Sequence, residues 1–220
     1  MAINLDRKSP GIIGILFGAF FSVVLGALLA VLHLMAQPVE VLTAEPNERA
    51  EGVKYFIKGA PGGEKGRVWQ AKFSRITDGS GEVKLSENEL NTWAGDSFEE
   101  VKLSEEEKAS SLLIIAGTPN FRLIGSALQI GTENQLVFFG SEAPLILQAT
   151  GAFAREGQRW KFVPTEAYLG GLPLHRAPLL MALAAKRFGP TAALPEEVEK
   201  LLTQATQIAI ADDELVVRMP

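Results

Sequence analysis

The chain has 220 residues, a formal net charge of −5 and no cysteine. The length fits one anchored domain or two very small ones, because domains usually contain about 100–150 residues. The acidic balance argues against a nucleic-acid partner, which requires a basic surface to replace phosphate counterions. The absence of cysteine excludes disulfides, thiolate metal sites and cysteine nucleophiles. With two histidines in the chain, a histidine-rich metal site is nearly excluded as well. We therefore expect no metal and no cofactor.

The N-terminal segment from 10 to 36 is predicted to be a transmembrane helix. It carries no charge, and only Ser22 and His33 have polar side chains within it. A helix of this length spans about 39 Å, more than the ~30 Å hydrocarbon core of a bilayer. A cleavable signal peptide is the alternative, but its apolar region is normally about 7–15 residues long. We therefore expect an uncleaved anchor.

Charges on the two sides of this helix predict its orientation. Arg7 and Lys8 precede it, whereas acidic residues dominate the segment that follows. The positive-inside rule then places the N-terminus in the cytoplasm. We expect a cytoplasmic segment 1–9, the membrane helix 10–36, a linker 37–52 and an extracytoplasmic domain 53–220. The protein is thus expected to be a single-pass protein of the cell (inner) membrane, with the lipid bilayer as a partner.

Small residues recur at every fourth position of the helix. The five positions are Gly14, Gly18, Ser22, Gly26 and Ala30. Such a face allows another helix to approach closely, which is how small-xxx-small pairs associate in membranes. The pattern predicts a transmembrane helix partner or a homodimer. The alternative is chance, since glycine and alanine are common in membrane helices.

The first part of the domain contains local signals for helices and short strands. The spacing predicts a strand at 53–58, an amphipathic helix at 67–76 and a brief strand at 82–85. Ser86 and Glu89 match a capping box, in which the serine hydroxyl and the glutamate carboxylate satisfy the first amides of a helix. We expect that helix to end near Gly95.

The second part is rich in β-branched and aromatic residues separated by turn signals. Predicted strands cover 112–116, 121–130, 135–139, 145–153 and 160–168. A helix at 177–188, a last helix opened by Pro195 and a closing hairpin around Asp212-Asp213 follow. The predicted fold class is α+β, with a curved antiparallel sheet and helices packed on one face.

Two stretches of this domain resemble known bacterial proteins. The segment 85–91, LSENELN, resembles a motif of membrane-anchored exported proteins of the YpmS-like and LmeA-like families. The stretch 151–174 resembles the strand pair of these families, followed by a G-x-L-P-hydrophobic entry into a helix. The sequence departs from the pattern at 175–177, three residues that intervene before Pro178. Because some members are linked to lipid binding, the resemblance implies an anchored domain that holds a lipid or another apolar ligand between sheet and helix.

A cavity of this kind would have walls from both elements. The candidate ligand-binding residues are Leu123, Leu147 and Phe153 on the sheet, and Leu180, Leu183 and Phe188 on the facing helix.

The polar residues give no catalytic pattern. The sequence contains no G-x-S-x-G nucleophile motif for which His175 could act as the general base. Asp212, Asp213 and Glu214 lack the ligand spacing of a calcium-binding loop. Glu89 and Asn91 are expected to fix the local turn. We therefore predict a non-enzymatic envelope protein that binds a lipid or another apolar ligand. The alternative is a membrane-anchored scaffold or complex subunit, which would bind protein partners through the small-residue face and the exported sheet. An enzyme would instead require convergent polar groups in a cleft.

Overall fold

The fold is α+β, with one apolar N-terminal helix and largely antiparallel sheets, as predicted. The computed structural model describes residues 12–63, 66–79, 81–98, 104, 106, 108, 112–138, 140–178, 181 and 195–220. The described helices are α1 (Ile12–Met35), α2 (Gly66–Thr77), α3 (Glu87–Ser97) and α4 (Glu196–Gln204). The strands are β1 (Val39–Leu42), β2 (Lys54–Ile57), β3 (Glu82–Ser86), β4 (Leu112–Ile115), β5 (Pro119–Ile124), β6 (Ala127–Phe138), β7 (Ser141–Glu156), β8 (Arg159–Leu169), β9 (Leu172–Pro173), β10 (Gln207–Ala211) and β11 (Glu214–Arg218).

Helix α1 is long and apolar enough to cross a membrane. Its side chains are exposed from Ile12 to Ala30. Only near its C-terminal end do Val31, Leu34 and Met35 become half-buried, because they pack against the sheet. A helix of this length near the N-terminus, apolar on all sides and exposed over most of its length, is consistent with a membrane anchor or a signal sequence.

The segment expected to be a linker contains a strand. β1 lies at Val39–Leu42 and pairs in parallel with β2. β2 crosses one face of the main sheet. There the side-chain amide of Gln148 donates a hydrogen bond to the Tyr55 carbonyl, and the side-chain amide of Gln129 donates one to the Ile57 carbonyl. The sequence does not predict β1, because the strand is short and its partner β2 begins about a dozen residues further on. Hydrophobic periodicity within a short window does not detect such a pairing.

The main sheet has six strands and antiparallel pairing throughout. Its centre is β6 paired with β7, and β4 and β5 share the other edge of β6. The predicted single strand 121–130 is wrong. The chain turns at Gly125, whose φ of +58° suits glycine, and the turn predicted at 131–134 is instead part of β6.

The closing hairpin forms as predicted but belongs to a separate sheet. β10 and β11 pair around Asp212 and Asp213, whose φ angles of 52° and 58° are those of a tight hairpin turn. β11 then pairs with β3, giving a three-stranded antiparallel sheet. The expectation of one sheet is therefore corrected to two antiparallel sheets and the parallel pair. Long-range pairing of β3 with β11 carries no local sequence signal.

The helices α2, α3 and α4 share one hydrophobic cluster with the three-stranded sheet and one end of the main sheet. We call it the helix-covered cluster; its centre includes Phe73, Ile76, Leu85, Trp93 and Val217. The helix predicted at 177–188 lies almost wholly outside the described residues. Within it, the Met181 amide donates to the Ala177 carbonyl in a helical turn.

Gly131→Ala tests the packing of β2 across the sheet. A Cβ on Gly131 would lie 2.2 Å from the ring of Phe56, which is fully buried. We expect this overpacking to lower the free energy of unfolding by about 1–3 kcal/mol, measured by denaturation of the full chain in detergent with tryptophan fluorescence. Gly95→Ala is the control, because a Cβ there meets nothing within 4 Å; in helix α3 it should be neutral or stabilising by up to ~1 kcal/mol. Equal stability of the two variants would contradict the packing.

Candidate functional site

The motif helix α3 begins with the predicted capping box. The Ser86 side chain accepts from the Glu89 amide, and the Glu89 carboxylate accepts from the Ser86 amide. Lys72 of α2 donates to the same carboxylate at 2.7 Å. Burial acts to raise the pKa of Glu89, but the hydrogen bonds from Lys72 and Ser86 and the Lys72 charge outweigh it, so the pKa lies below its ordinary value. Glu89 therefore has the local role that the sequence predicted.

Asn91 does not have a local role, which corrects the prediction. Its amide group donates to the Phe121 and Ala60 carbonyls, both at 2.8 Å, and its carbonyl accepts from the Phe121 amide at 2.7 Å. The side chain is 8% exposed. It thus binds the free edge of β5 in the way that a neighbouring strand would. Spacing along the sequence gave no sign of this contact, because about 30 residues separate the partners.

Glu87 completes this contact one turn earlier. One carboxylate oxygen accepts from the Ala60 amide and the other from the Leu123 amide, the latter at 2.6 Å. The Thr92 hydroxyl accepts from the Gly63 amide at 3.0 Å. The polar face of α3 therefore ties the loop after β2 to the edge of the main sheet. Its side chains are engaged with backbone groups and leave little free hydrogen-bonding capacity for a ligand.

A small open cleft borders the same contact. Its volume is about 210 Å³, and its lining includes Lys58, Asn91, Asn120 and Glu133. Lys58 and Glu133 form an ion pair, and the Asn120 side chain accepts from the Gly59 amide at 2.7 Å. The polar groups of the cleft are thus largely partnered within the protein. Among the described residues, no group of three or more histidine or acidic side chains could hold a metal ion.

The sheet residues proposed as cavity walls fall into two clusters. Leu123 and Phe153 belong to the helix-covered cluster, or pack against it. Leu147 packs against a second cluster, which we call the anchor cluster: Leu145, Ala167, Leu169, Leu172 and Leu174. Because side chains alternate along a strand, Leu145, Leu147 and Phe153 share one face of β7. Leu180, Leu183 and Phe188 lie outside the described residues, so their role stays a prediction.

The anchor cluster is completed by the last turn of α1. Val31, Leu34 and Met35 pack against it, and so does Met181, which is far from α1 in sequence. The Gly171 amide donates to the Leu34 carbonyl at 3.0 Å. A Cβ on Gly170 would lie 2.1 Å from the Met35 carbonyl oxygen. The sequence indicated Gly170-Gly171 only as a turn, whereas the two glycines allow the helix end to contact the sheet directly.

The small-residue face of α1 is exposed along its whole length. Gly14, Gly18, Ser22, Gly26 and Ala30 are all exposed, and a Cβ on Gly18 or Gly26 would meet nothing within 4 Å. The Ser22 hydroxyl donates back to the Gly18 carbonyl at 2.8 Å. Because α1 is exposed on every side from Ile12 to Ala30, packing of another helix on this face stays a prediction.

No protein-family model, no curated protein and no solved structure matches this chain. The resemblance of the LSENELN segment to exported bacterial proteins therefore stays a prediction.

Asn91→Ala tests the contact between α3 and β5. The substitution leaves the Phe121 amide and two carbonyls without their partner, which we expect to cost about 2–4 kcal/mol in the free energy of unfolding. Asn88→Ala is the matched control on the same helix. Asn88 is exposed and its side chain donates to the Pro61 carbonyl, so its loss should cost less than about 1 kcal/mol. Denaturation of both variants measures the difference, and similar losses would contradict the assigned role of Asn91.

Proposed function

We propose that this chain is a single-pass membrane protein whose N-terminus lies in the cytoplasm and whose exported domain binds a lipid or another apolar ligand without catalysing a reaction. In this proposal α1 is an uncleaved anchor in the cell (inner) membrane. The domain has α2, α3 and α4 on one face of the main sheet, and the ligand lies on that apolar face.

The contact between α1 and the anchor cluster carries the proposal. The apolar face of β7 runs from Phe153 in the helix-covered cluster to Leu145 and Leu147 at the anchor. At that end the face meets the last turn of a helix that is long enough to span a bilayer. An acyl chain would therefore move between the bilayer and the sheet without crossing water, which removes the main free-energy barrier to lipid transfer.

The polar residues support binding rather than catalysis. Glu87, Asn91 and Thr92 are committed to backbone groups, and His175 contacts the Ala167 backbone through Nδ1 at 3.1 Å. These four side chains are therefore engaged with the backbone and are not free to activate a nucleophile.

Leu147→Trp in the full chain tests the ligand site. Leu147 is half-buried beside the anchor cluster, and a larger side chain there should displace about two methylene groups of a bound chain. At ~0.8 kcal/mol per methylene, retention of phosphatidylcholine should fall about tenfold. The measurement is native mass spectrometry of protein released from phosphatidylcholine nanodiscs. The full chain is required, because a fragment beginning at 40 would remove Val39 of β1 and the α1 residues of the cluster.

Ile124→Trp is the matched control, since Ile124 is 38% exposed on β5 and lies outside both clusters. It should retain lipid as the unaltered protein does. Leu147→Ala is the second variant, in case the Leu147→Trp protein does not fold. It enlarges the site and should therefore not lower lipid retention. Unchanged lipid retention in a folded Leu147→Trp protein would refute the site.

A second candidate is a membrane scaffold that assembles through α1. The open small-residue face supports it, because Gly18 and Gly26 leave room for a second helix. Gly18→Ile with Gly26→Ile should abolish crosslinked dimers of the full chain in membranes. Leu16→Ile with Leu28→Ile, at exposed positions off this face, is the control and should leave the dimers intact. An unchanged oligomeric state in the glycine variant would exclude this mode of assembly.

A further inference from the structure

The side chains of Lys54, Tyr168 and His175 form a stack near the end of α1, on the face of the main sheet opposite the anchor cluster. The Tyr168 ring lies edge-on to the His175 ring with a centroid separation of 5.0 Å. Lys54 Nζ lies 4.5 Å from the centroid of the same tyrosine ring. His175 is held in place because its Nδ1 contacts the Ala167 backbone. Arg176 follows directly, as the last residue of the 3₁₀ turn Leu174–Arg176, and is exposed.

This stack lies at the level where α1 meets the domain. Tyr168 is two residues before Gly170 and pairs with Pro173 of β9. The next residue of the turn, Gly171, donates to the Leu34 carbonyl of α1. Lys54 pairs with Val39 in the β1–β2 register, and Val39 comes four residues after the end of α1. Strand β2, strand β8 and the 3₁₀ turn, three separate segments of the chain, thus bring these residues near the end of the apolar helix.

Neither Lys54 of the stack nor Arg176, which follows His175 in sequence, has a carboxylate partner in the described part of the chain. Glu48, Glu51 and Glu166 lie nearest to them along the chain, and none forms an ion pair with Lys54 or Arg176. By contrast, Lys58, Lys72 and Arg159 each have one. A lysine on a tyrosine ring, with an exposed arginine one residue after the histidine that contacts the same ring, is suited to an anion carried on an apolar body. Tyrosine favours the membrane–water interface, and lysine and arginine bind phosphate.

We propose that Lys54, Tyr168 and Arg176 form a binding site for the phosphate group of an anionic membrane lipid at the outer end of α1. The site rests on the membrane placement of α1 given under the proposed function. It is independent of acyl-chain binding in the anchor cluster, because Tyr168 and Leu169 are adjacent strand residues and therefore lie on opposite faces of β8. The site would fix the height and rotation of the domain on the membrane surface.

The full chain in nanodiscs of equal phosphatidylcholine and phosphatidylglycerol tests the proposal. Native mass spectrometry of the released protein measures which lipid it retains. The unaltered protein should retain phosphatidylglycerol in preference. Lys54→Gln with Arg176→Gln should reduce that preference between about fivefold and thirtyfold, since each cation near an anionic surface contributes about 1 kcal/mol. Lys54→Arg with Arg176→Lys keeps the charges and should keep the preference.

Lys84→Gln with Arg155→Gln is the matched control, because it removes the same charge from exposed positions away from α1. Arg155 lies about 30 Å along β7 from Ile146, whose carbonyl accepts from the Gly170 amide. No preference in the unaltered protein, or an equal loss in the control, would overturn the proposal. Inorganic phosphate that binds the lipid-free protein in neutral detergent as tightly as phosphatidylglycerol would assign the site to free phosphate and overturn its lipid source.

These outcomes separate the two proposals. The neutral lipid retained at Leu147 reports on the acyl-chain site, and the preference for phosphatidylglycerol reports on the stack. A protein that retains neutral lipid but shows no anionic preference would keep the first proposal and remove the second.

Discussion

The direct contact between the end of α1 and the β8–β9 turn governs the functional interpretation of this fold. It requires glycine at two successive positions: Gly170 has a φ of +58° and faces the Met35 carbonyl, and Gly171 donates to the Leu34 carbonyl. Without side chains at these positions the helix approaches the sheet closely enough for Val31, Leu34 and Met35 to enter the anchor cluster. The apolar helix and the domain therefore share part of their hydrophobic core.

A second constraint lies at the opposite end of the main sheet. There the polar face of α3 takes the place of a strand beside β5, with Asn91 and Glu87 satisfying backbone groups that would otherwise be left at a sheet edge. This arrangement protects the edge from pairing with another chain. It also joins β2, which crosses the other face of the sheet, to the helix-covered cluster. The sheet is thus held at one end by polar contacts and at the other by the anchor.

Local features of the fold could be predicted from the sequence. The capping box of Ser86 and Glu89, the apolar face of α2 and the hairpin at Asp212-Asp213 depend on residues within one or two turns of each other, so their spacing carries the information. The parallel β1–β2 pair and the separate sheet of β3 with β11 depend on distant residues and were missed. The turn at Gly125 was missed because Gly131, which is buried against Phe56, gave the stronger local turn signal.

The same distinction applies to the candidate site. Leu123, Leu147 and Phe153 were correctly expected on strands of the sheet, but period-two alternation does not show which cluster each residue joins. The participation of α1 had no local signal, because Leu34 and Gly171 are far apart in sequence. Similarly, Lys54, Tyr168 and His175 come together only through strand pairing and the 3₁₀ turn.

A distance measurement across the junction tests most directly whether the anchor and the domain form one unit. The chain has no native cysteine, so spin labels at Ala27→Cys and Ala152→Cys, both exposed, would be the only labelled sites. Double electron–electron resonance on the full chain in nanodiscs should give one narrow distance distribution, which Gly171→Val broadens. A broad distribution in the otherwise unaltered protein would show that the domain moves freely on a flexible linker and would contradict the direct contact.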